Sequence, residues 1–293
     1  MQKHAYLILV QNQPELLKYQ LALLDHERCD LYIHIDKRVK IRNLQSLLSS
    51  VKRAGISVAE PMTVTYGAYS QIQRLLKLLR MATKQKYQYY HLFSDYDLPL
   101  RNQAHILNFF DQHQGKEFIY FYGKNFADGM KNRFQFLPQK YDAGFRLFGK
   151  KRVKLRFPWD LSTQLNPEAT APQGGGFDLQ NGLGFGSITH DLASLLVLKE
   201  AWCEQYLSSM EGACEVFLQT ILWNSQMRGK QFYRREDSPQ TALMRNFRYT
   251  QGCIVPWKRN ELNTLIQSPF LFACGVQTQD DLAAEIQHHI EKK

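Results

Sequence analysis

The chain has 293 residues, a formal net charge of +10, 44% hydrophobic and 22% charged residues, so it carries enough apolar material for a core and too little bias for disorder. Cys29, Cys203, Cys214, Cys253 and Cys274 are scattered without a CxxC pair, which argues against a disulfide framework and against a zinc site. No apolar stretch reaches the roughly 20 residues of a membrane span and the first strand-like run lies close to Met1, so the expectation is a cytoplasmic protein with neither signal peptide nor anchor.

Residues 6–10 are apolar and read as a strand, a polar break follows at 11–14, and 16–24 carry helical spacing. Residues 30–36 and 56–59 read as further strands. Ile72, Leu75, Leu76 and Leu79 fall at i, i+3, i+4 and i+7, one face of a helix, and 89–93 read as the next strand. This alternation predicts an α/β fold, a Rossmann-like, mostly parallel central sheet flanked by helices, with its ligand site at the carboxyl ends of the strands. Nucleotide binding is the default expectation for such a site. No GxGxxG or GxxxxGK[ST] loop occurs, which removes the main support for dinucleotide and P-loop readings.

The densest basic cluster, Lys150, Lys151, Arg152, Lys154 and Arg156, stands beside Phe148, Phe157 and Trp159. It suits an anionic membrane face or a lipid-linked acceptor as well as it suits a solvated loop. The basic residues form no long stripe, which sets nucleic acid aside. Gly174, Gly175 and Gly176, just after Pro172, mark a flexible connection. From Gly182 onward come a further strand-like run, a helix over 191–206 and a second helix starting near Gly212.

Three segments carry candidate chemistry. Asp95 and Asp97 follow the strand 89–93, where two carboxylates either hold a divalent cation, Mn²⁺ or Mg²⁺, against a diphosphate or cap the following turn. Asp36 ends the strand 30–36 and is placed to accept from a ribose or base, with Arg38 reaching phosphate or sugar; the alternative is a charged surface turn. His34, alternating with apolar neighbours, reads as a core histidine. Glu215 is a lone carboxylate in an apolar context, either a base tuned by partial burial or a first-turn residue favoured by the helix dipole.

Read together, these segments resemble the core-2/I-branching β-1,6-N-acetylglucosaminyltransferase family, which includes the peptide xylosyltransferases. The resemblance runs nearly end to end. It is carried by Ala5 through Val10 with Pro14-Glu15, Tyr32-Ile33-His34-Ile35-Asp36-Lys37-Arg38, Val64 through Ser70, and Tyr90-His91-Leu92-Phe93-Ser94 through Pro99. Asn108-Phe109-Phe110 with Gly115 through Ile119, Glu215 through Leu222 with Asn224-Ser225, Asn246-Phe247-Arg248-Tyr249, and Ser268 through Ala273 continue it.

The resemblance implies a GT-A-type glycosyltransferase fold in one domain, residues 1–293, with a nucleotide-sugar-binding half (1–125) and an acceptor-binding and catalytic half (126–293). It implies one-step inversion with Glu215 as base, no required metal cofactor, and Arg248 neutralising the departing diphosphate. The donor-binding set it implies is Val10, Gln11, Asp36, Arg38, Tyr66, Asp97 and Arg248, with Lys131 and Arg133, beside Asn132, on the acceptor. Four positions depart from the family pattern: Tyr66 stands for a Trp, Gln11 for a His, Asp95 for a Gly, and Cys274-Gly275 occupy the place of an expected Lys, whose contact would fall to Lys258 or Arg259.

An acidic residue that xylosyltransferase-like relatives carry near Gly184 is missing, which points away from xylose. The expected reaction moves a sugar, GlcNAc first and galactose or glucose next, from a UDP-sugar to a glycan or lipid-linked saccharide. The expected setting is surface polysaccharide, lipopolysaccharide or capsule synthesis, peripheral to the inner membrane. The rivals are a metal-dependent UDP-hexose transferase using Asp95 and Asp97, and a non-catalytic glycan-binding protein on a degenerate transferase fold.

Overall fold

The first apolar run forms β1 (His4–Val10), buried on both faces with Leu9 half-buried, as a strand covered by helices on two sides must be. The computed structural model describes residues 2–122, 179–208, 210, 212–233, 237–250 and 253–292. β2 (Cys29–Ile35) pairs in parallel with β1, β3 (Gly55–Val58) in parallel with β2, and β4 (Tyr89–Ser94) in parallel with the other side of β1. After the short β5 (Asp97–Pro99), β6 (Ser187–Thr189) adds antiparallel to β4, giving the order β3-β2-β1-β4-β6. The sheet is mostly parallel, as the strand and helix alternation predicts.

Register sets up the site. Leu9 stands opposite both His34 and Ser94, so β1, β2 and β4 end level and the residues after them, Gln11, Asp36 and Asp95, share one edge. The chain runs from β1 outward through β2 and β3, then crosses back to β4. The crevice between the ends of β1 and β4 is therefore the switch point at which α/β sheets bind ligands.

Alternate residues of β1 feed two apolar layers. Ala5 and Leu7 join Leu76, Leu79, Ile188, Leu192 and Phe217 on one face, while Tyr6, Ile8 and Val10 join Leu21, Phe93, Ile106 and Phe272 on the other. The helices covering the sheet are α1 (Leu17–Leu24), α2 (Leu44–Leu48), α3 (Ser70–Ala82), α4 (Gln103–Gln112), α5 (His190–Leu198) and α6 (Glu200–Leu207). α3 buries Ile72, Leu75, Leu76 and Leu79 as its spacing predicts. Asn102 opens α4 by accepting the His105 N–H, a cap worth about 1 kcal/mol.

The helix expected over 191–206 is two helices, because Lys199 leaves helical geometry at φ −88° and ψ 9°. The one expected near Gly212 begins later, as α7 (Phe217–Trp223), behind a 3-10 turn, Ala213–Glu215. Gly212 at φ +73° reverses the chain there, a conformation that costs glycine little and ends regular helix.

Next come α8 (Pro239–Leu243), β7 (Arg245–Asn246), a hairpin of β8 (Arg248–Thr250) with β9 (Cys253–Val255), α9 (Leu262–Gln267), β10 (Phe272–Cys274) and α10 (Leu282–Glu291). β10 sits between β5 and β7 in a second sheet. Among the described residues no helix is long and apolar enough to cross a membrane.

Candidate functional site

Gln11 is the junction of the strand ends. Its backbone N–H donates to Asp95 Oδ2 at 2.7 Å, its Nε2 donates to the Val64 carbonyl at 3.1 Å, and its Oε1 accepts from Arg74 Nη1 at 2.8 Å. Asp95 Oδ2 also accepts the backbone N–H groups of Asn12 and of Gln13, the latter at 2.7 Å. The buried carboxylate of Asp95 is thus a clamp that curls the loop after β1 around the end of β4. The Val10 side chain is buried and its carbonyl accepts the Asp36 N–H at 2.9 Å.

Asp97 faces inward. Its Oδ1 accepts from Arg245 Nη1 at 3.0 Å, and its Oδ2 accepts from the Ser94 backbone N–H at 2.6 Å and the Ser94 hydroxyl at 2.7 Å. The side chains of Arg245 and Asp97 are 0% and 1% exposed. A divalent cation needs several free oxygens converging on one point. The Asp95-Tyr96-Asp97 donor set does not fit one, because Asp95 Oδ2 and both Asp97 oxygens already serve N–H, hydroxyl and guanidinium donors. Among the described residues there is no group of three or more His, Cys, Asp or Glu that could hold a metal.

Asp36 is buried and forked to Arg38, with Oδ1 to Nε at 2.9 Å and Oδ2 to Nη2 at 2.8 Å, and it also accepts the Val64 N–H at 2.9 Å. Burial pushes its carboxyl upward, but the hydrogen bonds from Arg38 and from the Arg38 and Val64 N–H groups outweigh it and hold the pKa at about 2. The Arg38 side chain remains exposed at the rim. His34 is a core histidine, fully buried, with its pKa lowered to about 4 by desolvation.

Tyr66 is 73% exposed on the loop between β3 and α3. That loop is pinned at both ends, by Val64 N–H on Asp36 and by Gly67 N–H on Gln71 Oε1 at 2.7 Å. The Gly212 N–H donates to the Gly67 carbonyl at 2.8 Å, and this contact ties the turn carrying Glu215 to the strand ends.

Glu215 is half-buried at the end of the 3-10 turn. Its carbonyl accepts the Gly182 N–H at 2.8 Å. A Cβ on Gly182 would meet the Tyr120 carbonyl at 1.9 Å, and one on Gly184 would meet the Cys214 carbonyl at 2.8 Å, so bare backbone is what lets segment 182–186 brace the turn. Burial raises the Tyr122 hydroxyl far above its ordinary value, with Tyr249 and then Glu215 adding to the effect. Tyr249 of β8 and Glu215 thus lie near the Tyr122 hydroxyl.

Arg248, next to Tyr249, is engaged elsewhere. Its Nη1 and Nη2 donate to Glu261 at 2.6 and 3.0 Å, Nη2 also reaches the Pro256 carbonyl, and the guanidinium lies 4.2 Å over the Trp257 ring. Lys131, Asn132 and Arg133, the basic cluster at 150–156 and Gly174 to Gly176 lie outside the described residues.

Over residues 4–251 the chain matches the Core-2/I-Branching enzyme family. It belongs to the Core-2/I-branching family. No curated protein matches the chain. As a Core-2/I-branching enzyme it has a GT-A-like mixed α/β fold and the glycosyltransferase class that the family implies.

In this Core-2/I-branching enzyme the structure gathers Gln11, Asp36, Arg38 and Tyr66 at the strand ends with the Glu215 turn beside them, and turns Asp97 and Arg248 toward protein partners. The sequence reading passed over Arg74. From helical spacing Arg74 falls on the side of α3 away from Ile72, which reads as solvent-facing, yet it is half-buried against the Gln11 loop. Only the tertiary placement of Gln11 reveals it.

Proposed function

We propose that this Core-2/I-branching enzyme transfers a sugar from a UDP-sugar, GlcNAc in the first instance, to a hydroxyl of a glycan or lipid-linked saccharide with inversion. Glu215 is the base. The observation that carries the reading is the Glu215 turn itself: a half-buried carboxylate near the Tyr122 hydroxyl, on a backbone braced by Gly182 and Gly184 and tied through Gly212 to Gly67. One carboxylate suffices for this reaction: it takes the acceptor hydroxyl's proton as that oxygen attacks the anomeric carbon, the C–O bond to UDP breaks on the opposite face, and UDP carries away the bond's electron pair.

The Asp36 and Gln11 loops supply the nucleotide end of the site, since they lie at the carboxyl ends of β2 and β1, beside the switch point of the sheet. The net charge of +10 favours both a diphosphate donor and work at an anionic inner-membrane face on surface polysaccharide or lipopolysaccharide. Calorimetry with UDP and a panel of UDP-sugars, in EDTA and then in Mn²⁺, tests the reading. Selective binding of one UDP-sugar supports it and names the donor; absence of nucleotide binding in both conditions overturns it.

A further inference from the structure

The arginines around the site differ in what holds them. Arg245 pairs with Asp97, Arg38 is forked to Asp36, and Arg248 is forked to Glu261. Arg74 forms no ion pair among the described residues. Its side chain donates one hydrogen bond, to the neutral amide oxygen of Gln11 at 2.8 Å, and its Nε is buried with no partner. A guanidinium partly shielded from water, with a buried donor left unmet, is costly. Burial accordingly lowers its pKa, against the opposing fields of Asp95, Cys214 and Asp36.

The position of Arg74 explains why such a group is kept. It lies on α3 one turn beyond Gln71, whose Oε1 receives the Gly67 N–H and the Cys214 thiol. On its other side is Gln11, at the switch point between β1 and β4. Arg74 therefore stands between the loop that receives the nucleotide and the turn that carries Glu215, where a diphosphate joining nucleoside to sugar has to pass. The planar fork of a guanidinium matches paired phosphate oxygens.

We propose that Arg74 is the cation that binds the diphosphate of the nucleoside-diphosphate donor, the part that the family resemblance implies for Arg248. This rests on the donor reading above. In the ground state Arg74 completes its hydrogen bonds on phosphate oxygens, and as the glycosidic bond breaks it meets the charge developing on the departing diphosphate.

The test compares UDP with uridine, which lacks the diphosphate, on the wild-type chain and on Arg74→Met. The expected result is a UDP affinity lowered about 10- to 100-fold, the range for one charge-assisted contact, with uridine affinity unchanged. Parallel weakening of both ligands would mean that Arg74 only props up Gln11, and the inference falls. Wild-type UDP binding with an unaltered variant overturns the Arg74 assignment alone. A wild-type chain that binds UDP no better than uridine overturns the donor reading and this inference with it. If Arg74→Met melts out of its fold, Arg74→Lys carries the comparison: loss of the fork weakens UDP several-fold and spares uridine, and equal losses for the two ligands overturn the assignment.

Discussion

Arg245 donates to Asp97 across 3.0 Å with both side chains sealed from solvent, and the guanidinium is further enclosed by the rings of Phe93, Phe185 and Phe272. This pair locks β5 to β7 behind the site. Removing one partner strands a buried charge, so Asp97→Ala is expected to cost about 3–5 kcal/mol in urea unfolding. A loss below 1 kcal/mol, or a variant whose only defect is donor affinity, would move Asp97 back into the donor site.

Asp95 gathers the N–H groups of Gln11, Asn12 and Gln13 on one oxygen. Each buried donor left without an acceptor costs about 1–3 kcal/mol. Asp95→Ala is therefore expected to lower stability by at least about 2 kcal/mol and to weaken UDP binding by loosening the Gln11 loop, neither being rescued by Mn²⁺. Wild-type turnover in EDTA should equal turnover in Mn²⁺. Activity lost to EDTA and restored by Mn²⁺ would reinstate a metal at this sequence.

The parallel sheet was legible because β1, β2 and β4 are mostly apolar runs and α3 keeps its spacing. β5, β7 and β10 were not, since strands of two or three residues have no period to read. The partner of Asp97 lies 148 residues away at Arg245, and no local pattern announces a pairing at that separation. The same limit explains the site. Gln11, Asp36 and Glu215 sit in recognisable segments, whereas the engagement of Arg248 by Glu261 and the approach of Arg74 to Gln11 arise from packing.

Glu117 is fully buried, with Thr189 donating its N–H at 2.9 Å and its hydroxyl at 2.5 Å. Burial dominates and raises the carboxyl to about 7. A carboxyl whose folded pKa exceeds its unfolded value of about 4.5 binds its proton more tightly in the fold, so stability falls as pH rises from about 4.5 to 7 and is level above that. The contribution is about 3 kcal/mol. Urea unfolding between pH 4.5 and 8 should show the wild type losing this increment relative to Glu117→Gln; a difference between the two that does not change with pH would contradict it.

Gly184 meets the Cys214 carbonyl where a Cβ would stand, at 2.8 Å, one residue before Glu215. Gly184→Ala must push the turn away, and a displacement on the order of 1 Å at a reacting group costs about 100-fold in rate. The expected signature is a fall in kcat of that order with UDP affinity held within a few-fold. Unchanged kcat would show that the turn does not position the base.

The central claim is that Glu215 removes the acceptor proton, and Glu215→Gln tests it most directly. The amide keeps size and hydrogen bonding but takes up no proton, so turnover should fall at least 100-fold while UDP binding by calorimetry stays at the wild-type level. A variant that still turns over at the wild-type rate would contradict the account.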